Sequence, residues 1–110
     1  MPVKLFRGDT WTRAWRLEDA ACKPIDLTGA SARLQLRDGA GALALDATTV
    51  NGRLQITALE GRIDLAVPYA TTALLAAGTY RFDLEVTHAS GIRRTYEQDS
   101  LVILEDVSHD

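Results

Sequence analysis

Two histidines and one cysteine are the side chains of this 110-residue chain best suited to nucleophilic or metal chemistry. His88 and Ser90 lie in the segment 88–91, whose glycine predicts a chain reversal. A hydroxyl and an imidazole on one exposed turn have no third group to orient them, so we interpret the segment as a surface turn. His109 falls in a polar tail, and Cys22 lies in a predicted loop without the histidine or helix N-terminus that activates a thiol.

Asp83 and Glu85 are the carboxylates whose spacing comes nearest to an acid pair. They lie two residues apart on one face of a predicted strand, which allows the separation of about 5–9 Å found between glycosidase carboxyl groups. A solvated outer face, with Glu85 paired to Arg93 or Arg94 across a hairpin, is the simpler interpretation. Nucleotide, zinc and calcium motifs are absent from the sequence. We therefore predict a protein that is not an enzyme, with no catalytic residues, no metal site and no cofactor.

The charge balance and the single cysteine limit the possible classes further. The chain has 12 Lys and Arg against 15 Asp and Glu, a formal net charge of −3, which disfavours a nucleic-acid partner. Its apolar stretches are shorter than the roughly 20 residues of a membrane span, and residues 1–4 do not resemble a signal peptide. One cysteine excludes an intrachain disulfide. The expectation is synthesis in the bacterial cytoplasm, without secretion by a signal peptide and without a membrane partner.

Alternating apolar and polar residues of period two predict the strands that must carry these side chains. The pattern is clearest over residues 31–37, and residues 38–41 then predict a hairpin. Asn51-Gly52 predicts a second hairpin, with a new strand from about Arg53, and Glu60-Gly61 predicts another turn. Pro68 should end the strand that follows, because proline removes a ladder donor.

The second half of the chain predicts one short helix and the longest strand. Residues 69–77 are the helical candidate, with Thr71 or Thr72 as N-cap. Gly78-Thr79-Tyr80 then resembles a tyrosine corner at the start of a strand. Residues 101–104 predict a separate strand, or the end of the preceding one after a bulge near Asp99-Ser100. Seven to nine strands at this spacing predict an all-β, immunoglobulin-like antiparallel sandwich with one short connecting helix, as a single domain over residues 1–104 with a polar tail at 105–110.

Two further motifs near the start of the chain have both a functional and a structural interpretation. Arg7-Gly8-Asp9 matches a cell-adhesion tripeptide, but Gly8-Asp9 more simply forms a turn before the next strand. Trp11 and Trp15 share one strand face, where they either fill the core or contact another subunit. The sequence leaves the tryptophan alternatives open.

The order of short motifs along the chain resembles that of small structural proteins of tailed phages and prophages. The segments that carry the resemblance are 6–11 (FRGDTW), 17–19 (LED), 24–29 (PIDLTG), 32–37 (ARLQLR) and 75–86 (LAAGTYRFDLEV). They look like the N-terminal immunoglobulin-like domain of phage upper baseplate proteins. The resemblance implies a non-catalytic structural or adaptor protein of the baseplate, tail or neck region, assembled into a virion or virion-like particle.

An assembly role implies contacts with other phage structural proteins or with further copies of the chain. Open sandwiches keep edge strands that accept a neighbouring strand, and residues 3–6 and 101–104 are terminal and apolar enough to do so. The candidate assembly contacts are Val3, Leu5, Trp11, Leu101 and Ile103.

Two alternative functions remain open from the sequence. The first is a small carbohydrate- or ligand-binding sandwich, in which exposed rings such as Tyr69 and Tyr96 provide a stacking surface. The second is a hydrolase that uses Asp83 and Glu85, which requires a cleft around them.

Overall fold

Alternating apolar residues and well-placed turn residues build eight strands in the part of the chain that the structure describes. The computed structural model describes residues 3–105. In chain order the elements are β1 (Val3–Phe6), β2 (Trp11–Arg16), β3 (Ser31–Arg37), β4 (Leu43–Thr48), β5 (Leu54–Thr57), a 3₁₀ turn (Ala58–Glu60), β6 (Arg62–Val67), α1 (Tyr69–Thr72), β7 (Gly78–Thr87) and β8 (Arg93–Leu104). Within these residues, no helix is long and apolar enough to cross a bilayer.

The strands form two sheets that face each other. One sheet has five strands in the order β1-β8-β7-β3-β4, and the other has three in the order β2-β6-β5. All pairs are antiparallel except β1 with β8, which run parallel. The predicted all-β sandwich with one short connecting helix is confirmed. The predicted domain end at residue 104 stays a prediction, and His109 lies outside the described residues.

The core lies between the sheets and follows the period-two pattern of the strands. In β3, Ala32, Leu34 and Leu36 are buried, whereas the residues between them face outward. Phe82 and Leu84 of β7 lie beside them on the same inner face. Because successive strand side chains point to opposite faces, the alternation fixes which residues lie inside and which are available at the surface.

The predicted hairpin at residues 38–41 is confirmed, whereas Asn51-Gly52 is not a hairpin. β4 belongs to the five-stranded sheet and β5 to the three-stranded sheet, so the chain crosses between sheets at this dipeptide. Gly52 does adopt a positive φ of 80°, and β5 begins at Leu54. The hairpin prediction is wrong because the Asn-Gly turn sets a local reversal and not the sheet that the next strand joins.

The predicted helix is shorter than the sequence indicated, and the tyrosine corner is confirmed. α1 is one turn, its N-cap is Pro68 and not Thr71 or Thr72, and no side chain caps it. Thr72 instead donates to the carbonyl of Asp9 at 2.7 Å. Tyr80 donates its hydroxyl to the carbonyl of Ala76 at 2.6 Å. That bond fixes the connection to the start of β7.

β8 is one continuous strand, which corrects the predicted edge and the predicted position of the bulge. Of the two alternatives for residues 101–104, the structure shows the end of the preceding strand and not a separate one. These residues are not an edge strand, because β8 lies between β1 and β7. The irregularity in its pairing is not at Asp99-Ser100 but between Leu84 and Glu85 of β7, where Tyr96 is the extra residue on β8. β1 and β4 are the edges of the larger sheet.

Candidate functional site

His88 and Ser90 lie on the β7–β8 reversal, as the sequence predicts. The amide of His88 donates to Ile92 and the amide of Gly91 donates to the carbonyl of His88, both at 2.8 Å. The imidazole Nε2 lies 2.8 Å from the hydroxyl oxygen of Tyr96, and the two rings meet edge to face at 6.0 Å. The partner of His88 is therefore a tyrosine, and the pair fixes the orientation of the Tyr96 ring.

An open cleft of about 420 Å³ lies between this hairpin and the connection from β2 to β3, residues 17–30. Ile25 and Ile92 supply apolar surface. The polar side chains that line it are Asp26, Thr28, His88, Ser90, Arg94 and Tyr96. Its volume is in the range of small-molecule sites. We call this the hairpin cleft.

Two residues fix the β2–β3 connection where it lines the hairpin cleft: Leu27, which is buried, and Asp26, which is hydrogen-bonded to Thr28. Leu27 is buried in the core, and its amide donates to Ala58 at 3.0 Å. Asp26 accepts hydrogen bonds from the hydroxyl and the amide of Thr28, at 2.6 and 2.9 Å. These two bonds lower the pKa of Asp26 below its usual value. The cleft therefore contains an ionised carboxylate at neutral pH.

The bulge in β8 places Arg94, Tyr96 and Glu97 on the inner side of the larger sheet. Arg94 pairs with the buried Val86, so its side chain starts on the inner face. Tyr96 packs against the core at the bulge. Glu97 pairs with the buried Leu84 and faces inward as well. Without the extra residue, a strict alternation would send one of Tyr96 and Glu97 outward.

Glu97 joins the two sheets next to the hairpin cleft. Arg13 of β2 donates from Nε and Nη2 to its two carboxylate oxygens, at 3.0 and 2.7 Å. Trp15 donates from Nε1 to Oε1 at 2.9 Å. Burial raises the pKa of Glu97, but these hydrogen bonds and the charge of Arg13 outweigh it, so the pKa lies below its ordinary value. We call Arg13, Trp15 and Glu97 the intersheet clasp.

The residues predicted as assembly contacts divide between core and edge. Trp11, Leu101 and Ile103 are at most 2% exposed. Trp11 packs edge to face against Phe82 at 5.5 Å, so of the two alternatives for it the structure shows the core. These three side chains therefore pack within the core of the chain. Val3 and Leu5 are half-buried on the edge strand β1, and their contact with another chain stays a prediction.

The remaining candidates are dispersed over the surface. Tyr69 is 66% exposed on α1, which precedes β7, whereas Tyr96 lies beside the other end of that strand. The two rings therefore do not form one stacking surface. Glu85 pairs with Arg93 at 3.6 Å, as predicted. Cys22 is an exposed loop residue with a positive φ of 61°.

Comparison with known proteins shows similarity to solved structures and no match in sequence. No family model matches the chain, and no curated protein matches it in sequence. The crystal structure of CopC from Methylosinus trichosporium OB3b is similar, with a TM-score of 0.56 and 13% identity. The match covers 94% of this chain and 84% of that chain. At this identity the similarity shows the shared fold.

This similarity overturns the resemblance to phage proteins. CopC is among the matched structures, and nothing in the comparisons points to a phage, baseplate or tail protein. The predicted structural or adaptor role in a phage particle is therefore wrong, and the alternative of a small ligand-binding sandwich agrees better with the findings. The short motifs were misleading because turns and edges of β-sandwiches use the same few residue types in unrelated proteins.

Over residues 3–105, no group of three or more His, Cys, Asp or Glu side chains is placed to hold a metal ion. His88 is bonded to Tyr96, and Asp26 is bonded to Thr28.

Proposed function

We propose that this chain is a small ligand-binding β-sandwich module whose binding site is the hairpin cleft. The observation that carries the proposal is the convergence of groups from two separate elements on one concavity. Tyr96 and Arg94 come from β8, and Asp26 comes from the β2–β3 connection some seventy positions earlier in the chain. A concave surface with apolar walls and a few oriented polar groups is the usual form of a small-ligand site.

The chemistry of the hairpin cleft favours a carbohydrate or a similar polyhydroxylated ligand. The ring of Tyr96, oriented by His88, offers an aromatic face for the C–H groups of a sugar. Asp26 accepts hydrogen bonds from hydroxyl groups, and Arg94 donates to ring and hydroxyl oxygens. Opposite charges on Asp26 and Arg94 balance each other, which suits a neutral ligand better than a strongly charged one.

We further propose that the module binds its ligand and does not catalyse a reaction on it. The imidazole of His88 contacts the hydroxyl group of Tyr96. In this arrangement His88 orients the aromatic ring of Tyr96. Ser90 lies on the same reversal but is exposed, and the cleft is open to solvent. Acid–base and nucleophilic catalysis benefit from a site that excludes water, and this open surface is better suited to binding.

The test is a glycan array followed by titration of the strongest glycan by NMR. We expect saturable binding, with shifts at Tyr96 and Arg94. Tyr96→Ala should weaken it about tenfold, the scale of a lost stacking contact. Tyr96→Phe keeps the ring and should lose less.

Tyr69→Ala is the matched control, because it removes an exposed ring that does not line the hairpin cleft. It should bind as the wild type does. An array without hits, or a Tyr96→Ala variant that binds like wild type, would show that the cleft is not a carbohydrate site.

A further inference from the structure

Two arginines lie directly opposite each other on the outer face of the five-stranded sheet. Arg37 of β3 and Arg81 of β7 are register partners, and both are exposed. Directly opposed residues of neighbouring strands have Cα atoms about 4.5–5.5 Å apart. Like charges at such positions destabilise a sheet unless something neutralises them.

The other arginines of β3 and β8 that share this face have carboxylate partners. Arg33 lies 3.3 Å from Asp46, and Arg93 lies 3.6 Å from Glu85. Among residues 3–105, no carboxylate lies within ion-pair distance of Arg37 or Arg81. Within the described part of the chain, the opposed pair is therefore a site on this face where two positive charges have no carboxylate at ion-pair distance.

Two neutral acceptors orient the guanidinium of Arg37, and they use only part of its five N–H donors. Arg37 donates from Nη1 to the carbonyl of Gly41 at 3.0 Å and from Nη2 to Oε1 of Gln35 at 3.1 Å. Both acceptors are uncharged, so they orient the guanidinium without cancelling its charge. Arg37, Arg81, Gln35 and Gln98 line a cleft of about 360 Å³ beside the β3–β4 hairpin.

Two carboxylates in the same cleft decide which anion fits. Asp83 lies two residues from Arg81 on the same face, and Asp38 accepts the amides of Ala40 and Ala42. Because two aspartates lie beside the two arginines, a dianion meets more repulsion in this cleft than a singly charged group does. A planar carboxylate also matches the fork of a guanidinium.

We propose that the cleft at Arg37 and Arg81 binds the carboxylate of a small molecule. It is a site distinct from the hairpin cleft, since it lies on the opposite face of the sheet and at the other end of β7. The carboxylate bridges the two guanidinium groups, and Gln98 supplies an amide donor from β8. Binding removes the repulsion between the two arginines.

The probe is sodium acetate, followed through the arginine Nε–H signals in NMR spectra at constant ionic strength set with sodium chloride. We expect saturable shifts at Arg37 and Arg81, with affinity about tenfold lower in Arg81→Gln, the scale of a lost charged hydrogen bond. Arg33→Gln on the same strand face is the matched control and should bind acetate as wild type does.

Phosphate in the same titration separates carboxylate recognition from general anion attraction. We expect phosphate to bind more weakly than acetate. Tighter phosphate binding, shifts that chloride reproduces, or an Arg81→Gln variant with unchanged affinity would each overturn the proposal. Because the hairpin cleft contains neither arginine, these outcomes are independent of the carbohydrate test.

Discussion

At the scale of single residues, Gly61 is the glycine at which an added methyl group would clash most closely with backbone atoms. Its φ is 59°, in the left-handed region. A Cβ there would lie 2.5 Å from the carbonyl oxygen of Leu17 and 3.0 Å from the amide nitrogen of Ile25. Leu17 donates its amide to Gly61 at 2.8 Å, and Ile25 donates to Leu17 at 2.9 Å. Gly61 therefore holds the start of the connection that forms one wall of the hairpin cleft.

Gly61→Ala should lower the free energy of unfolding by about 2–4 kcal/mol, because left-handed strain adds to a backbone clash. Urea unfolding measures it. Gly52→Ala is the control, because Gly52 also has a positive φ but nothing lies within 4 Å of its Cβ position. It should cost about 1 kcal/mol. Equal losses in the two variants would mean that the Leu17 contact contributes nothing.

The sequence predicted the turn at Gly61 but not its contacts with residues 17 and 25. Turn residues report local φ and ψ preferences, which the dipeptide Glu60-Gly61 contains in full. The approach of Leu17 depends on how the β2–β3 connection packs, and no spacing within that connection encodes it. Tyr80 is different, because its acceptor Ala76 lies four residues away and the Gly78-Thr79-Tyr80 pattern indicated the bond.

At the scale of elements, the side chain of Asn51 organises the crossing from β4 to β5. Its Oδ1 accepts the amides of Thr48 and Arg53, each at 3.0 Å, and its Nδ2 donates to the carbonyl of Asp46 at 2.9 Å. Arg53 donates to that same carbonyl at 3.0 Å. These bonds occupy backbone groups at the exposed edge of β4, which protects that edge from pairing with another strand.

Asn51→Ala should lower the free energy of unfolding by about 1–2 kcal/mol, since it leaves several backbone groups to water alone. Thermal or urea unfolding measures the change. Val50→Ala is a neighbouring control, because Val50 is 96% exposed and should shift stability by less than about 0.5 kcal/mol. A loss in Asn51→Ala no larger than that of the control would show that the bonds of Asn51 are not stabilising.

Strand existence was predictable here, whereas the pairing of strands across the molecule was only partly so. Period-two patterns located β3, β6 and β7 well, because alternation is a property of one segment. The hairpin cleft, in contrast, depends on the register between two strands, which neither strand encodes alone. Tyr96 and Glu97 face inward because β8 gains one residue against β7, and no residue type in 92–98 marks that position. The hairpin cleft therefore could not be found by alternation alone.

At the scale of the whole molecule, the intersheet clasp is an ionic contact between the two layers. Arg13 belongs to the three-stranded sheet and Glu97 to the five-stranded sheet, and their side chains are 28% and 25% exposed. Removing one partner of an ion pair sheltered to this degree costs more stability than breaking a fully exposed pair, because the other charge is left partly buried. Glu97 directly follows Tyr96 at the bulge in β8. The clasp therefore also fixes the part of β8 from which the Tyr96 ring lines the hairpin cleft.

The contribution of the clasp to stability should depend on pH in a definite direction. The pKa of Glu97 in the folded chain lies below its ordinary value of 4.5, so folding is favoured by the ionised form. The stabilisation is complete above pH 4.5 and is lost as the pH falls through the lower folded-state pKa. Asp99 opposes this effect, since its charge raises the pKa of Glu97.

Glu97→Gln should lower the free energy of unfolding by about 1–2 kcal/mol at pH 7, with a gap to wild type that narrows steadily below pH 4.5. Urea unfolding of both proteins at a series of pH values measures that gap, and the subtraction removes the titration of carboxylates common to both. Glu85→Gln breaks the exposed pair with Arg93 and should change stability by less than about 0.5 kcal/mol at pH 7. A gap for Glu97→Gln that stays constant down to pH 3 would show that the amide loses packing or hydrogen bonds and that the charge of Glu97 is not what joins the sheets.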